Sequence, residues 1–207
     1  MKTSFKTLVA SAMTAIVLST TVVTAFAAEK VTAAEKVSEN QDIKRVVVNG
    51  TTKVFIVQSN RDWISIGDDN LDKVSVKQVG NTLSISSSEE TPVVVTVYVK
   101  NLYRIAVADH ATVSTVGTIN LPYLQVVMRD QAKAHIKAKT ESLYTDLAGE
   151  ANLELLGTTE SHTIKNASAG DLKVERLLAA KTENLPAGSR LAMNDTTVQA
   201  KKVNAKK

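Results

Sequence analysis

Five copies of one short pattern, strand then small residue then strand, recur at a nearly constant step along the second half of the chain. They are RIAVADHATVST, LQVVMRDQAKAHIKA, YTDLAGEANLELL, TIKNASAGDLKVE and ENLPAGSRLAM, anchored on Ala111, Ala132, Ala151, Gly170 and Ser189 at steps of 21, 19, 19 and 19 residues. Around the anchors, apolar residues fall on every second position: Ile105, Val107 and Val113 flank the first, Leu124, Val126, Met128, Ala134 and Ile136 the second, and Leu153 and Leu155 follow the third. Leu172 and Val174 follow the fourth anchor, Leu191 and Met193 the fifth. Alternation with period two marks strands, and a small residue between two strands marks a corner without room for a larger inward side chain. A unit this short cannot bury its apolar face alone, whereas copies stacked about 4.8 Å apart share one core. The expected fold class is all-β, a parallel β-helix (β-solenoid) of about five rungs of 19–21 residues. A β-sandwich would alternate too, but it has no reason to keep a 19-residue period. LKVERLLAAKTE alone has helical spacing, and it fits equally as the outer connection of a rung.

Ahead of the repeats, VVVNGTTKVFIV, DWISIG, KVSV, TLSIS and PVVVTVYV read as short strands separated by turn residues. KVSVKQVGNTLSIS is the clearest hairpin, with Gly80 and Asn81 suited to a left-handed backbone at its tip. These irregular and hairpin strands are expected to precede the solenoid. The first thirty residues have Lys2 and Lys6 before an apolar run from Leu8 to Val23, then Ala25 and Ala27 as an A-x-A end. Those are the physical parts of a secretory signal cleaved after Ala27. The expected organisation is a signal peptide over 1–27, a polar linker over 28–42, the strand domain over 43–198 and a basic tail over 199–207. No other apolar stretch is long enough to span a bilayer, so no integral membrane segment is expected after cleavage.

Composition narrows the partners. The chain has no cysteine, which excludes disulfides, thiolate metal sites and thiol nucleophiles. Its formal charge of +4 is carried by the ends. Without Lys2, Lys6, Lys201, Lys202, Lys206 and Lys207, 19 basic residues face 21 acidic ones, so nucleic acid is not an expected partner.

The opening strands VVVNGTTKVFIVQ, DWISIGDDNLDKVSV and NTLSIS, followed by the repeated corners ADHA, RDQA, AGEA, SAGD and AGSR, resemble the head GIN domain family of autotransporter-like adhesins over about residues 43–195. Family members carry a Ser-Gly-Ser-Gly type corner, and here its glycines are thinned out. The resemblance implies a right-handed parallel β-helix on an exported protein, periplasmic or at the cell surface, with no established activity.

Candidate chemistry is sparse. Asp109, His110 and Ser114 have the residue types of a hydrolase triad, but neighbours on a strand point to opposite faces. The sharper expectation is that Asp109 caps its own turn. Asp109 and Asp130 fall at equivalent positions of adjacent rungs, where two carboxylates could share a hard cation, and Asp68, Asp69 and Asp72 form a second group of oxygen donors. His110, His135 and His162 lie in different repeat registers, which argues against a zinc cluster. Tyr123 and Tyr144 have outward parity about one rung apart, with Gln125 and Arg129 nearby, a pattern suited to stacking on sugar rings. Tyr103 and Trp63 are expected in the core. The tail lysines could touch anionic envelope polymers. The reading is an exported, non-enzymatic binding module of the cell envelope, without cofactor, whose partner is carbohydrate or another envelope component. The alternatives are a carbohydrate-active β-helix enzyme and a self-associating structural module, since solenoid ends leave open strand edges.

Overall fold

The computed structural model describes residues 42–188. The expected signal segment, the expected linker apart from Asp42, the anchor Ser189 and the expected tail lie outside the described residues. Twelve strands make up the described chain: β1 (Arg45–Gly50), β2 (Thr52–Gln58), β3 (Trp63–Ile66), β4 (Ser75–Val79), β5 (Thr82–Ser87), β6 (Val93–Val99), β7 (Arg104–Val107), β8 (Thr112–Val116), β9 (Ile119–Met128), β10 (Lys133–Gly149), β11 (Asn152–Ser168) and β12 (Leu172–Leu185). A single 3-10 turn at Asp68–Asn70 is the only helical element among the described residues, and LKVERLLAAKTE is strand.

The alternation seen in sequence is the burial pattern. Along β10, Ala134, Ile136, Ala138 and Thr140 are buried at every second position; the next buried residue is Leu143, three positions on, and Thr145 and Leu147 follow. Pairing with β11 lapses at Glu141 and Glu160 together while the step stays at 19, so both strands turn a corner at the same level and the inward parity changes there. The core runs through all twelve strands' inner face and is built of Val, Ile and Leu, with Leu124, Leu143, Leu147 and Leu153 almost wholly enclosed. Each such leucine stabilises the fold by about 1.5–3 kcal/mol relative to exposure.

The repeat step becomes the strand register. β8 pairs in parallel with β10 at Lys133↔Thr112, a step of 21, and β10 with β11 at Lys133↔Asn152, a step of 19. β11 meets β12 at a step of 19 that becomes 20 after an irregularity at Glu154/Leu156. The anchors Ala111, Ala132 and Ala151 are fully buried and stacked, with Lys133 N–H donating to the Ala111 carbonyl and Asn152 N–H to that of Ala132. Gly170 is half-buried, and a Cβ there would lie 2.4 Å from the Ala151 carbonyl oxygen.

The expectation that irregular strands stand ahead of the repeats as a separate entry needs correction. The strands form one continuous sheet curled as a half-barrel, ordered β3-β6-β2-β8-β10-β9-β7-β1-β5-β4, with β11 and β12 added on β10. The early strands are inside this sheet. β1 and β2 pair in parallel with β7 and β8 at Arg45↔Arg104 and Lys53↔Thr112, and on their other side with β5 and β6 at Arg45↔Thr82 and Thr52↔Val93. Chain order and spatial order therefore differ, since β5 and β6 lie outside β1 and β2. Only β3 and β4 pair antiparallel, at the two ends of the path. The hairpin tip between β4 and β5 is left-handed at Gly80 (φ +55°) but not at Asn81.

Two aromatic residues expected in the core are not there. Trp63 is half-buried on the outer face and stacks on Tyr98 across the β3–β6 pair, with centroids 3.7 Å apart. Tyr103 is 39% exposed, because the chain leaves strand geometry before β7 and Leu102 takes the inward place.

Candidate ligand-binding face

One wall of the sheet consists of β5, β1, β7, the second half of β9 and the corresponding halves of β10, β11 and β12. Parallel register aligns the outward residues in rows across it. One row runs Thr82, Arg45, Arg104, Gln125, Tyr144, Thr163 and Glu183, each on the strand next to the last. A second row holds Tyr123, Ser142, Ser161 and Lys181.

Tyr123 and Tyr144 thus face outward on adjacent strands, as their parity indicates, but they are displaced by two residues along the strand. Tyr123 stands opposite Ser142, and Tyr144 opposite Gln125. A diagonal pair of this kind is about 7–8 Å apart, close enough for both rings to meet one extended ligand. Tyr123 is 61% exposed, while Tyr144 is half-buried. Burial, reinforced by Asp146, raises the Tyr144 pKa, and Arg129 and Arg104 oppose that rise. Tyr103 joins this face from the β7 approach, its hydroxyl accepting a hydrogen bond from Arg45 Nη2 at 2.9 Å and its ring 5.8 Å from the Arg45 guanidinium carbon.

Arg129 is on the wall but is occupied. Its guanidinium pairs with Asp146 at 3.1 Å and donates to the carbonyls of Met128 and Asp146, and Lys165 shares the same carboxylate at 3.6 Å. It ties the end of β9 to β10 and is less able to contact a ligand than its spacing suggested. Arg45 and Arg104 were not singled out in the sequence, and Tyr103 was expected in the core. The signal for the arginines was available only as register, across a separation of 59 residues.

The corners form a second line. Gly50, Asp109, Asp130 and Gly149 occupy equivalent positions, two residues beyond Val48, Val107, Met128 and Leu147, and all four have positive φ, between 57° and 76°. Asp109 does not cap its own turn. Its Oδ2 accepts the Gly50 N–H of the neighbouring copy at 2.8 Å, and Asp130 Oδ2 approaches the Asp109 N–H at 3.4 Å. Each aspartate ties one copy to the next. Among the described residues no group of three or more His, Asp or Glu could hold a metal ion. Asp109→Ala is expected to cost about 1–2 kcal/mol, through the lost cap and the left-handed backbone it leaves on alanine. Asp109→Gly should lose less, because only the cap goes. Urea denaturation of both variants checks this, and equal losses would separate the cap from the backbone wrongly.

Ser114 is not brought to Asp109 and His110, which lie at the corner, but to His135 and Glu154, in register on β8, β10 and β11. His135 Nδ1 lies 3.0 Å from Glu154 Oε2, and Arg176 Nη1 is 3.6 Å from the other oxygen. Ser114, His135 and Glu154 line a shallow groove of about 210 Å³. Ser114 makes no hydrogen bond to His135, so the nucleophile contact that a triad requires is missing. His162 is elsewhere, inside the core and 1% exposed, with Nε2 3.1 Å from Thr145 Oγ1. Burial lowers its pKa to about 4.

The sequence model of the family described as "Putative auto-transporter adhesin, head GIN domain" matches residues 42–203. The chain belongs to the head GIN domain family. Solved structures share the fold of this GIN domain at low identity. A "putative adhesin" of Bacteroides fragilis matches with a TM-score of 0.62 and 17% identity, over 72% of this chain and 73% of that one. A "putative lipid binding protein" of Parabacteroides distasonis matches with 0.53 and 13%, over 70% and 75% of the two chains. A "putative adhesin" of the same species matches with 0.52 and 13%, over 76% and 79%. No curated protein is matched by this chain. No helix among the described residues of the GIN domain is long and apolar enough to cross a membrane.

Proposed function

We propose that this GIN domain is an exported, non-enzymatic binding module of the cell envelope that holds carbohydrate against the wall bearing Tyr103, Tyr123 and Tyr144. The observation that carries the reading is the arrangement of three outward tyrosines on one hydrogen-bonded wall. Aromatic faces supply broad, low-entropy contact to the apolar face of a sugar ring, and Gln125 and the neighbouring serines offer hydrogen-bonding groups for its hydroxyls. A surface held by backbone ladders presents these groups on a fixed backbone, so that binding orders only side chains. The signal-like first segment supports export. The parallel steps of 21, 19 and 19–20 residues support a solenoid of about five rungs, and right-handed connection is the rule for parallel crossovers.

The test is retention on a panel of immobilised polysaccharides, using the chain from residue 28 onward. Retention is expected without release of soluble sugar, and Tyr123→Ala should weaken it at least tenfold while leaving the melting temperature unchanged. Soluble product would favour the enzyme alternative instead, and unchanged retention of the variant would move the site off this wall.

A further inference from the structure

The wall carries two arginines that no described residue neutralises. Register sets Arg45 directly opposite Arg104 on adjacent parallel strands, which are about 4.8 Å apart. Like charges so placed destabilise a sheet. Elsewhere on the same wall the chain avoids that cost: Asp146 lies between Arg129 and Lys165 and pairs with both. Neither Arg45 nor Arg104 has an ion-pair partner among the described residues. Arg45 gives one nitrogen to the Tyr103 hydroxyl, and its Nε is buried with no acceptor. Arg104 donates no side-chain hydrogen bond among the described residues. Both are half-buried, so water screens their repulsion less than it would at a fully open surface.

We infer that Arg45 and Arg104 form an anion site, and that the carbohydrate held by this wall is an acidic one, a polymer of sugars bearing carboxylate or sulfate groups. The inference rests on the carbohydrate reading above. An anionic group set between the two guanidinium forks accepts hydrogen bonds from both and turns their repulsion into attraction. Gln125 continues the row beyond Arg104, and Tyr123 lies beside Gln125 on β9. A chain crossing the strands therefore places a charged group on the arginines and the following ring on the tyrosines. Strand spacing is comparable to the length of one pyranose unit, so the two contacts fall on neighbouring sugars. Arg129 does not take part, because its guanidinium is already held by Asp146.

The experiment compares two forms of one polymer: polygalacturonate and its fully methyl-esterified derivative, which differ in charge and not in backbone. The chain from residue 28 onward should bind the acid form at least tenfold more tightly. The preference should fade as salt is raised toward about 1 M, where the Debye length falls to about 3 Å. Arg104→Gln and Arg45→Gln should each remove most of the preference, Arg104→Lys should restore part of it, and the melting temperature of Arg104→Gln by circular dichroism should not fall, since the repulsion is relieved. Equal binding of both polymers, insensitive to the arginines, would overturn the anion site and leave the carbohydrate reading standing. Binding of neither polymer, with no retention on any other polysaccharide, would remove both. Arginine-dependent capture by phosphatidylglycerol vesicles without polymer binding would overturn the inference in favour of a lipid headgroup.

Discussion

Replacing Gly157 by alanine is expected to destabilise the domain by at least about 3 kcal/mol, a large share of the roughly 5–15 kcal/mol that holds a domain together. Gly157 lies within β11 opposite Ala138 of β10 and has φ +111°. A Cβ at this position would come 2.0 Å from the Ala138 carbonyl oxygen and 3.0 Å from its carbon. That oxygen belongs to the backbone of a neighbouring strand, so it cannot swing aside as a side chain would. Two other glycines separate the causes. Gly117 has φ +77° but open space around it, so Gly117→Ala should show the conformational cost alone, about 1 kcal/mol. Gly188 has neither a positive φ nor a close neighbour, and its alanine variant should be nearly neutral. Denaturant midpoints of the three variants should fall in that order. Equal losses for Gly157→Ala and Gly117→Ala would mean that the close approach of β10 and β11 does not constrain the fold.

Acidification is expected to remove about 3 kcal/mol of stability through His162 alone. Its ring is enclosed on the inner face of β11, and burial lowers its pKa from 6.5 to about 4. Between those values the unfolded chain binds the proton and the folded chain does not, so stability rises with pH across the window. The contribution is therefore fully present above pH 6.5, is lost progressively as pH falls toward 4, and is constant below that. In register, His162 continues the inward row of Leu124 and Leu143, so His162→Leu fits the local packing. The variant should lose this pH slope, at the cost of the Thr145 hydrogen bond. Stability measured by urea unfolding from pH 7.5 to 4 checks the expectation, and an unchanged slope in the variant would assign the acid sensitivity to other groups.

Much of the architecture was readable because period-two alternation and the anchors Ala111, Ala132 and Ala151 are local signals, and stacking converts their steps directly into strand register. The outward direction of Tyr123 and Tyr144 follows from the same parity. Where the reading missed, the local rule had been broken by geometry. Tyr103 counts as inward only if strand geometry extends back through it, and Trp63 found an aromatic partner on the outer face instead of a place in the core. Arg129 looked free because Asp146, which occupies it, is 17 residues away on another strand.

The sequence by itself determined that this chain is all-β, that its repeats stack in parallel, and which residues within the repeats' strands turn toward the core. Those properties depend on contacts between neighbouring copies, which a regular step encodes. Only the tertiary structure decided where the first strands belong. β1 and β2 lie between β5–β6 and β7–β8, and pairing across 59 residues leaves no periodic trace. That placement sets Arg45 against Arg104 and lets Asp109 cap Gly50. The most distinctive chemistry of the wall thus arises from long-range register, because side chains far apart in the chain acquire a shared environment only when their strands become neighbours.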